Sequence, residues 1–320
     1  MGISFTSISE KNKSLIKTSI KIVFSILILG FIYFKVDFAS VGERLLTASK
    51  PLILLALGLM LVNLSVQFIK WEIIINTLIE KTGKRKLLKS LLLGISSSMI
   101  TPLQTGVFLG RASVFEKKKI PKVMFATFFD KISTLFLTAF FGSLISLYFL
   151  TEKFAVSKFV TFPVLILLLL LAIFFFAVLS SNKISNSQII QIFLPRKLTD
   201  KYKLEIAFAD KIDANLFWKT FPLLLLQKIL LLVQFSILIY AFGGTANFIE
   251  LIFASLLVFF SKSFFPPVTV GDIGVREAMS IYFFGLAGIP SSVAFSAAVF
   301  LFIINLLLPS LVSLIFLARK

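Results

Sequence analysis

The sequence predicts an all-α polytopic membrane protein, with about six full transmembrane helices and two re-entrant helical hairpins arranged as an inverted repeat. Three observations lead there. Mean hydropathy is +1.00 with 58% hydrophobic residues, and long apolar runs recur along the 320-residue chain. About 20 apolar residues cross a hydrocarbon core as helix. These runs lack the period-two alternation of barrel strands, so helices are the spanning structure. Basic residues fall in short blocks beside the apolar ends. Finally, two interruptions of the apolar pattern share one spacing, P-x3-G-x4-R: Pro102, Gly106, Arg111 and Pro267, Gly271, Arg276.

In chain order, residues 1–19 form a basic cytoplasmic arm, and 20–320 form one membrane domain. A first helix at about 20–36 follows Lys11, Lys13, Lys17 and Lys21; with no small-residue cleavage site after Gly30 it is a retained helix rather than a removed signal. An amphipathic connector carries Asp37, Glu43 and Arg44. A second helix, about 51–78, ends at "EKTGKRKLLK". The first interrupted piece (87–121) precedes a third helix at about 122–150 and a fourth at 159–180. The segment 183–218 sets Ile206, Phe208, Ile212, Leu216 and Phe217 among charges and reads as a surface amphipathic helix. A fifth helix, 219–241, leads to the second interrupted piece (247–290) and a last helix, 291–317. The repeat units are about 51–150 and 219–317. Trp71 and Trp218 sit near predicted interfaces, where belt residues lie.

Orientation follows from the charges. A cytoplasmic N-terminus places 23 of the 33 Lys and Arg residues on the cytoplasmic side and six outside, provided each interrupted piece enters and leaves on one face. Both termini are then cytoplasmic and the two units run in opposite directions. Lys70, Lys131, Lys228 and Lys262 lie within apolar runs. The same distribution assigns the net charge of +18 to lipid head groups rather than nucleic acid. The absence of Cys and His removes thiol chemistry, the commonest general base and the commonest transition-metal ligand. No catalytic residue, metal or cofactor is expected.

An apolar–Pro–Gly–Arg–apolar order reads as helix, turn, helix, because Pro withholds an N–H and Gly tolerates positive φ. Such backbone must be buried in protein or line a wet cavity. The turn residues are Pro102 and Gly106 in the first hairpin, and Pro267, Gly271, Asp272 and Gly274 in the second. Arg111 and Arg276 would bring planar forks suited to phosphate. Broken helices at matching places of inverted repeats mark a transport site. The bland readings are ordinary loops between helices and an Arg276 that reaches the interface. Asp130, with Lys131 beside it, would pair with a hairpin arginine or a neighbouring lysine. Asn63, Gln67 and Lys70 share one helical face, and Gln227 and Gln234 another, with interhelical hydrogen bonding the default.

"PPVTVGDIGVREAM" is similar to the G-G-x-G-x-R-E segment of the lysylphosphatidylglycerol synthase/flippase membrane region, the family of the multiple peptide resistance factor. "TPLQTGVFLGRASVFEKKKIP" followed by "ATFFDKIS" resembles that family's P-x-x-x-G-E-x-x-R segment and downstream acid–basic pair. The resemblance covers about 15–317. Val107 stands where the family has an acid, and Asp272 replaces its second glycine. The resemblance implies a flippase-like lipid translocase in a bacterial-type cytoplasmic (inner) membrane. Its ligand would be an anionic phospholipid or polyprenyl phosphate, bound by Arg111, Arg276, Glu277, Asp130 and Lys131. The expected form is stand-alone, lacking the aminoacyl-transferase domain, with a homo-oligomer compatible and an enzymatic role disfavoured. The competing readings are a membrane enzyme modifying a lipid head group and a non-catalytic membrane scaffold.

Overall fold

In a computed structural model, the structure describes residues 32–34, 36–101, 104–152, 155–180, 214–264 and 274–318. The basic arm, most of the helix expected at 20–36, Pro102, Pro267, Gly271, Asp272 and residues 181–213 lie outside them. The described chain is helical. Helix α1 (Phe38–Thr47) is the amphipathic connector, and Asp37 caps it by accepting from the Ala39 N–H at 3.1 Å. Helix α2 (Lys50–Leu78) starts on Pro51, whose missing N–H costs nothing in a first turn. At 29 residues it is long enough to cross a bilayer at a tilt.

The chain then turns into α3 (Lys84–Ile100) and returns through the short α4 (Gly106–Ala112). Gly106 and Gly110 are the reason these legs lie so close. A Cβ at Gly106 would sit 2.2 Å from the Ser97 carbonyl oxygen, and one at Gly110 would sit 2.5 Å from that of Leu93. The pairs 97/106 and 93/110 make the legs antiparallel. Gly106 therefore acts as the first helical residue of the return leg rather than as the bend. The bend is at 101–105, where Gln104 takes φ 53° and the Thr101 hydroxyl accepts the Gly106 N–H at 2.6 Å.

Helix α5 (Ile120–Glu152) opens on Pro121, and α6 (Lys158–Ser180) follows as an almost wholly apolar helix with most of its described side chains exposed, as for a helix facing lipid. Helix α7 (Ala214–Ala241) begins earlier than expected. Leu216 and Phe217, which the sequence groups with a surface helix, are buried in its first turns against Trp71, Leu87 and Phe129. Helix α8 (Phe248–Lys262) is capped by Asn247, and α9 (Val275–Gly285) begins at Gly274. The last helix is not continuous: α10 (Ser291–Phe302) passes through a π turn (Ile303–Leu307) into α11 (Leu308–Ala318). Pro309 explains the turn, since its ring bars the normal bond to the residue-305 carbonyl.

Among the described residues, four helical stretches are long and apolar enough to cross a membrane: Lys50–Leu78, Lys117–Glu152, Asn215–Ala241 and Ser291–Ser313. The central pair is α2 against α7. Gln234 is fully buried; its Nε2 donates to the Ala56 carbonyl and its Oε1 accepts from Asn305 Nδ2, both at 2.9 Å. Two further contacts flank that pair. Helix α5 packs on α8, where a Cβ at Gly142 would fall 2.4 Å from the Phe260 ring. Helix α11 packs on α3, where Ser96 hydrogen-bonds Ser313. One apolar core surrounds the first hairpin and another the second, at opposite ends of the α2–α7 pair.

Candidate functional site

Arg111 is the penultimate residue of α4, and the close hairpin sets its position. Gly94 leaves the space its stem occupies, since a Cβ there would lie 2.5 Å from Arg111 Cγ. The Ser90 hydroxyl donates to the Arg111 carbonyl at 2.7 Å and accepts from Trp71 Nε1 at 3.2 Å. The Arg111 guanidinium lies 4.3 Å from the Trp71 ring centroid, a cation–π contact between two buried side chains. Trp71 is thus 1% exposed and belongs to the core, not to an interfacial belt. Its approach to Arg111 is a packing fact that its distance from the helix end does not reveal.

Asp130 on α5 receives two cations. Arg111 Nη1 lies 2.8 Å from Oδ2, and Lys70 Nζ from α2 lies 2.7 Å from Oδ1. Lys70 also donates to Gln227 Oε1 on α7 at 2.7 Å. Arg111, Asp130 and Lys70 are 5%, 6% and 3% exposed. The network ties α2, α4, α5 and α7 together around two positive charges and one negative. Of the sequence alternatives for Asp130, both partners occur at once. The Arg111 Nε has no hydrogen-bond partner among the described residues.

Beside this network the positive charge continues. Lys131 is half-buried and lies within reach of the charges of Arg111, Asp130, Lys70 and Lys262. Lys228, also half-buried, sits 5.3 Å from the Phe259 ring centroid of α8, with the charges of Lys262 and Lys70 nearby. The sequence alone gives no binding role to Lys70, Trp71, Gln227, Lys228 or Lys262. For Lys70 and Lys228 the usable signal is a lysine inside an apolar run with an amide on the same face or adjacent to it. Just past the end of α2, Glu80 Oε2 accepts from Lys119 Nζ at 2.7 Å, and this hydrogen bond holds the Glu80 carboxyl below its ordinary range. That pair fastens the end of α2 to the start of α5.

The second arginine makes a separate pair. Gly274 adopts φ 111°, a conformation side-chain-bearing residues rarely take, and its N–H donates to Glu277 Oε2 at 2.6 Å. Arg276 Nη2 lies 2.5 Å from Glu277 Oε1, and its guanidinium is 5.4 Å from the Phe302 ring centroid. Arg276 is 3% exposed and Glu277 fully buried, so Arg276 does not reach an interface. Its Nε likewise has no hydrogen-bond partner among the described residues. No ion pair or hydrogen bond joins Arg276 or Glu277 to the Arg111 network among the described residues. Each hairpin thus presents one buried arginine, held by one carboxylate and facing one aromatic ring.

The sequence matches, over residues 19–313, the family model described as the lysylphosphatidylglycerol synthase TM region. No curated protein and no solved structure matches it. The helical fold with its apolar spans is that of a multi-pass membrane protein, and the match covers all but the ends of the chain. The chain belongs to the lysylphosphatidylglycerol synthase transmembrane-region family, which ties it to membrane lipids.

Proposed function

We propose that the chain is a lipid translocase of the cytoplasmic membrane. In this reading α3–α4 and α8–α9 are re-entrant hairpins of an inverted repeat, entering from opposite faces, with Pro102, and Pro267, Gly271, Asp272 and Gly274, shaping their turns and Gly106 seating the return leg of the first. The reading sets the phosphate of an anionic lipid between them. Arg111 and Arg276 hold the phosphate, and Lys131 adds positive charge. Asp130 and Glu277 aim the two arginines.

The observation that carries this reading is the pair of buried arginines, one on each hairpin. Each is only partly used by its own carboxylate, and each sits in a low-dielectric interior where a phosphate contact is strongest. The reciprocal packing of α5 on α8 and α11 on α3 supports it, since two equivalent units around one central pair are how alternating access to a fixed site is built.

The test is transport by the purified chain reconstituted in liposomes with acyl-labelled fluorescent phosphatidylglycerol, read by dithionite quenching of the outer leaflet. Wild-type protein is expected to expose the inner-leaflet label to quenching. Arg111→Ala and Arg276→Ala should each slow this by about tenfold or more, the worth of one lost charge-assisted hydrogen bond. Wild-type rates in both variants would overturn the assignment of these residues.

A further inference from the structure

The positive charge collected around Asp130 is more than one carboxylate balances. Among the described residues, Lys70 from α2, Arg111 from α4, Lys131 from α5 and Lys228 from α7 are four cations, against Asp130 alone, an excess of three. Lys262 at the end of α8 stands beside them and is left out of the sum. Among the described residues, Asp130 is the one carboxylate whose charge reaches Lys131, and none reaches Lys228. Neither lysine has an ion pair or side-chain hydrogen bond among the described residues; Lys228 has only the Phe259 ring.

Depth makes that excess meaningful. Lys131 is nine residues past Lys122 on α5 and Lys228 nine past Lys219 on α7, the last lysine assigned to the cytoplasmic side on each helix, so each lies about 14 Å further along. That is mid-depth in a hydrocarbon core about 30 Å thick. Ammonium groups at such depth are costly, and an anion that shares the space offsets that cost. A surface block of lysines would need no such partner, because water and counter-ions screen it.

The chemistry of the missing anion follows from the count. A phosphodiester brings one negative charge and leaves most of the excess. A phosphomonoester or diphosphate brings two or more, with three or more acceptor oxygens for donors arriving from four helices. An aminoacylated head group brings ammonium groups of its own into a site already rich in them. Resting on the translocase reading, we propose that this chain's lipid carries a phosphomonoester or diphosphate head group, and that cationic aminoacyl lipids are excluded from the site.

Binding of dioctanoyl lipids to the purified full chain in detergent at about pH 7, where a phosphomonoester carries about 1.5 to 2 negative charges, tests this. Dioctanoyl phosphatidic acid should bind about tenfold tighter than dioctanoyl phosphatidylglycerol, the gain from one further charge-assisted hydrogen bond. Dioctanoyl lysylphosphatidylglycerol should bind more weakly than either. Lys131→Gln and Lys228→Gln, checked by thermal unfolding to be intact, should bring the first ratio down towards one. Lysyl lipid bound as tightly as phosphatidic acid, or a ratio unmoved in both variants, overturns the inference. Inorganic pyrophosphate is expected not to bind at concentrations where phosphatidic acid saturates. Equal binding would replace the lipid by a soluble phosphate compound and overturn the proposal. Equal binding of all three lipids sinks the charge preference while leaving the translocase reading standing. Binding of none sinks both.

Discussion

Asp130→Asn is expected to cost about 3–5 kcal/mol of unfolding free energy, the cost of breaking a buried ion pair from one side. The carboxylate carries one cation on each oxygen, Arg111 at 2.8 Å and Lys70 at 2.7 Å, and all three groups are buried. An amide keeps the shape and one acceptor but neutralises nothing, so two cations are left in the interior with Lys131 beside them. Lys70→Met should be much milder, because it leaves Arg111 and Asp130 as a matched pair. Adding Lys70→Met to Asp130→Asn should recover part of the loss, since one stranded charge is removed. Thermal unfolding of the detergent-purified protein reads all three. An Asp130→Asn midpoint equal to wild type would mean that the network does not hold the four helices together.

Gly106→Ala is expected to destabilise by about 3 kcal/mol and to abolish translocation. The added Cβ would meet the Ser97 carbonyl oxygen at 2.2 Å. Both partners in that clash are fixed to backbone, so no rotamer relieves it, and the hairpin legs must separate. Arg111 is five residues along the same leg and would be drawn away from Asp130. Gly58→Ala is the internal control. Nothing lies within 4 Å of a Cβ at that exposed helical position, so the change should be neutral or stabilising by about 0.5–1 kcal/mol. If Gly106→Ala behaves like Gly58→Ala, the close approach of α3 and α4 is not what positions the arginine.

How far the sequence discloses these features depends on their range. Helices α2 and α5 and the helix at 219–241 are legible because a run of apolar residues is a local property, and Pro51 and Pro121 mark two starts. The break near 101–105 is legible for the same reason. Pairings are not. The Lys70–Gln227 bond spans 157 residues, and nothing in an apolar run says which distant helix will face its one lysine. Trp71 reads as a belt residue because its sequence position is near a helix end. Its burial follows from Arg111 and Ser90 arriving over it from other helices. Leu216 and Phe217 read as part of an amphipathic surface stretch because charges precede them. The structure puts them inside α7, where they fill the core around the first hairpin. The π turn is not read from the sequence, which gives one helix over 291–317; its form depends on a helix-register change that places Asn305 against Gln234.

The account stands or falls on the two hairpins entering from opposite faces, and labelling of single cysteines measures that directly. The chain has no cysteine, so every signal comes from the residue introduced. Lys84→Cys and Lys118→Cys flank the first hairpin, while Thr245→Cys and Gly285→Cys flank the second; all four positions are exposed. In sealed membrane vesicles treated with an impermeant maleimide, the first two should react only from the cytoplasmic side and the second two only from the opposite side. Reaction of Lys84→Cys and Lys118→Cys from different sides would show a spanning pair rather than a re-entrant one. Reaction of all four from one side would remove the inverted repeat, and with it the shared phosphate site.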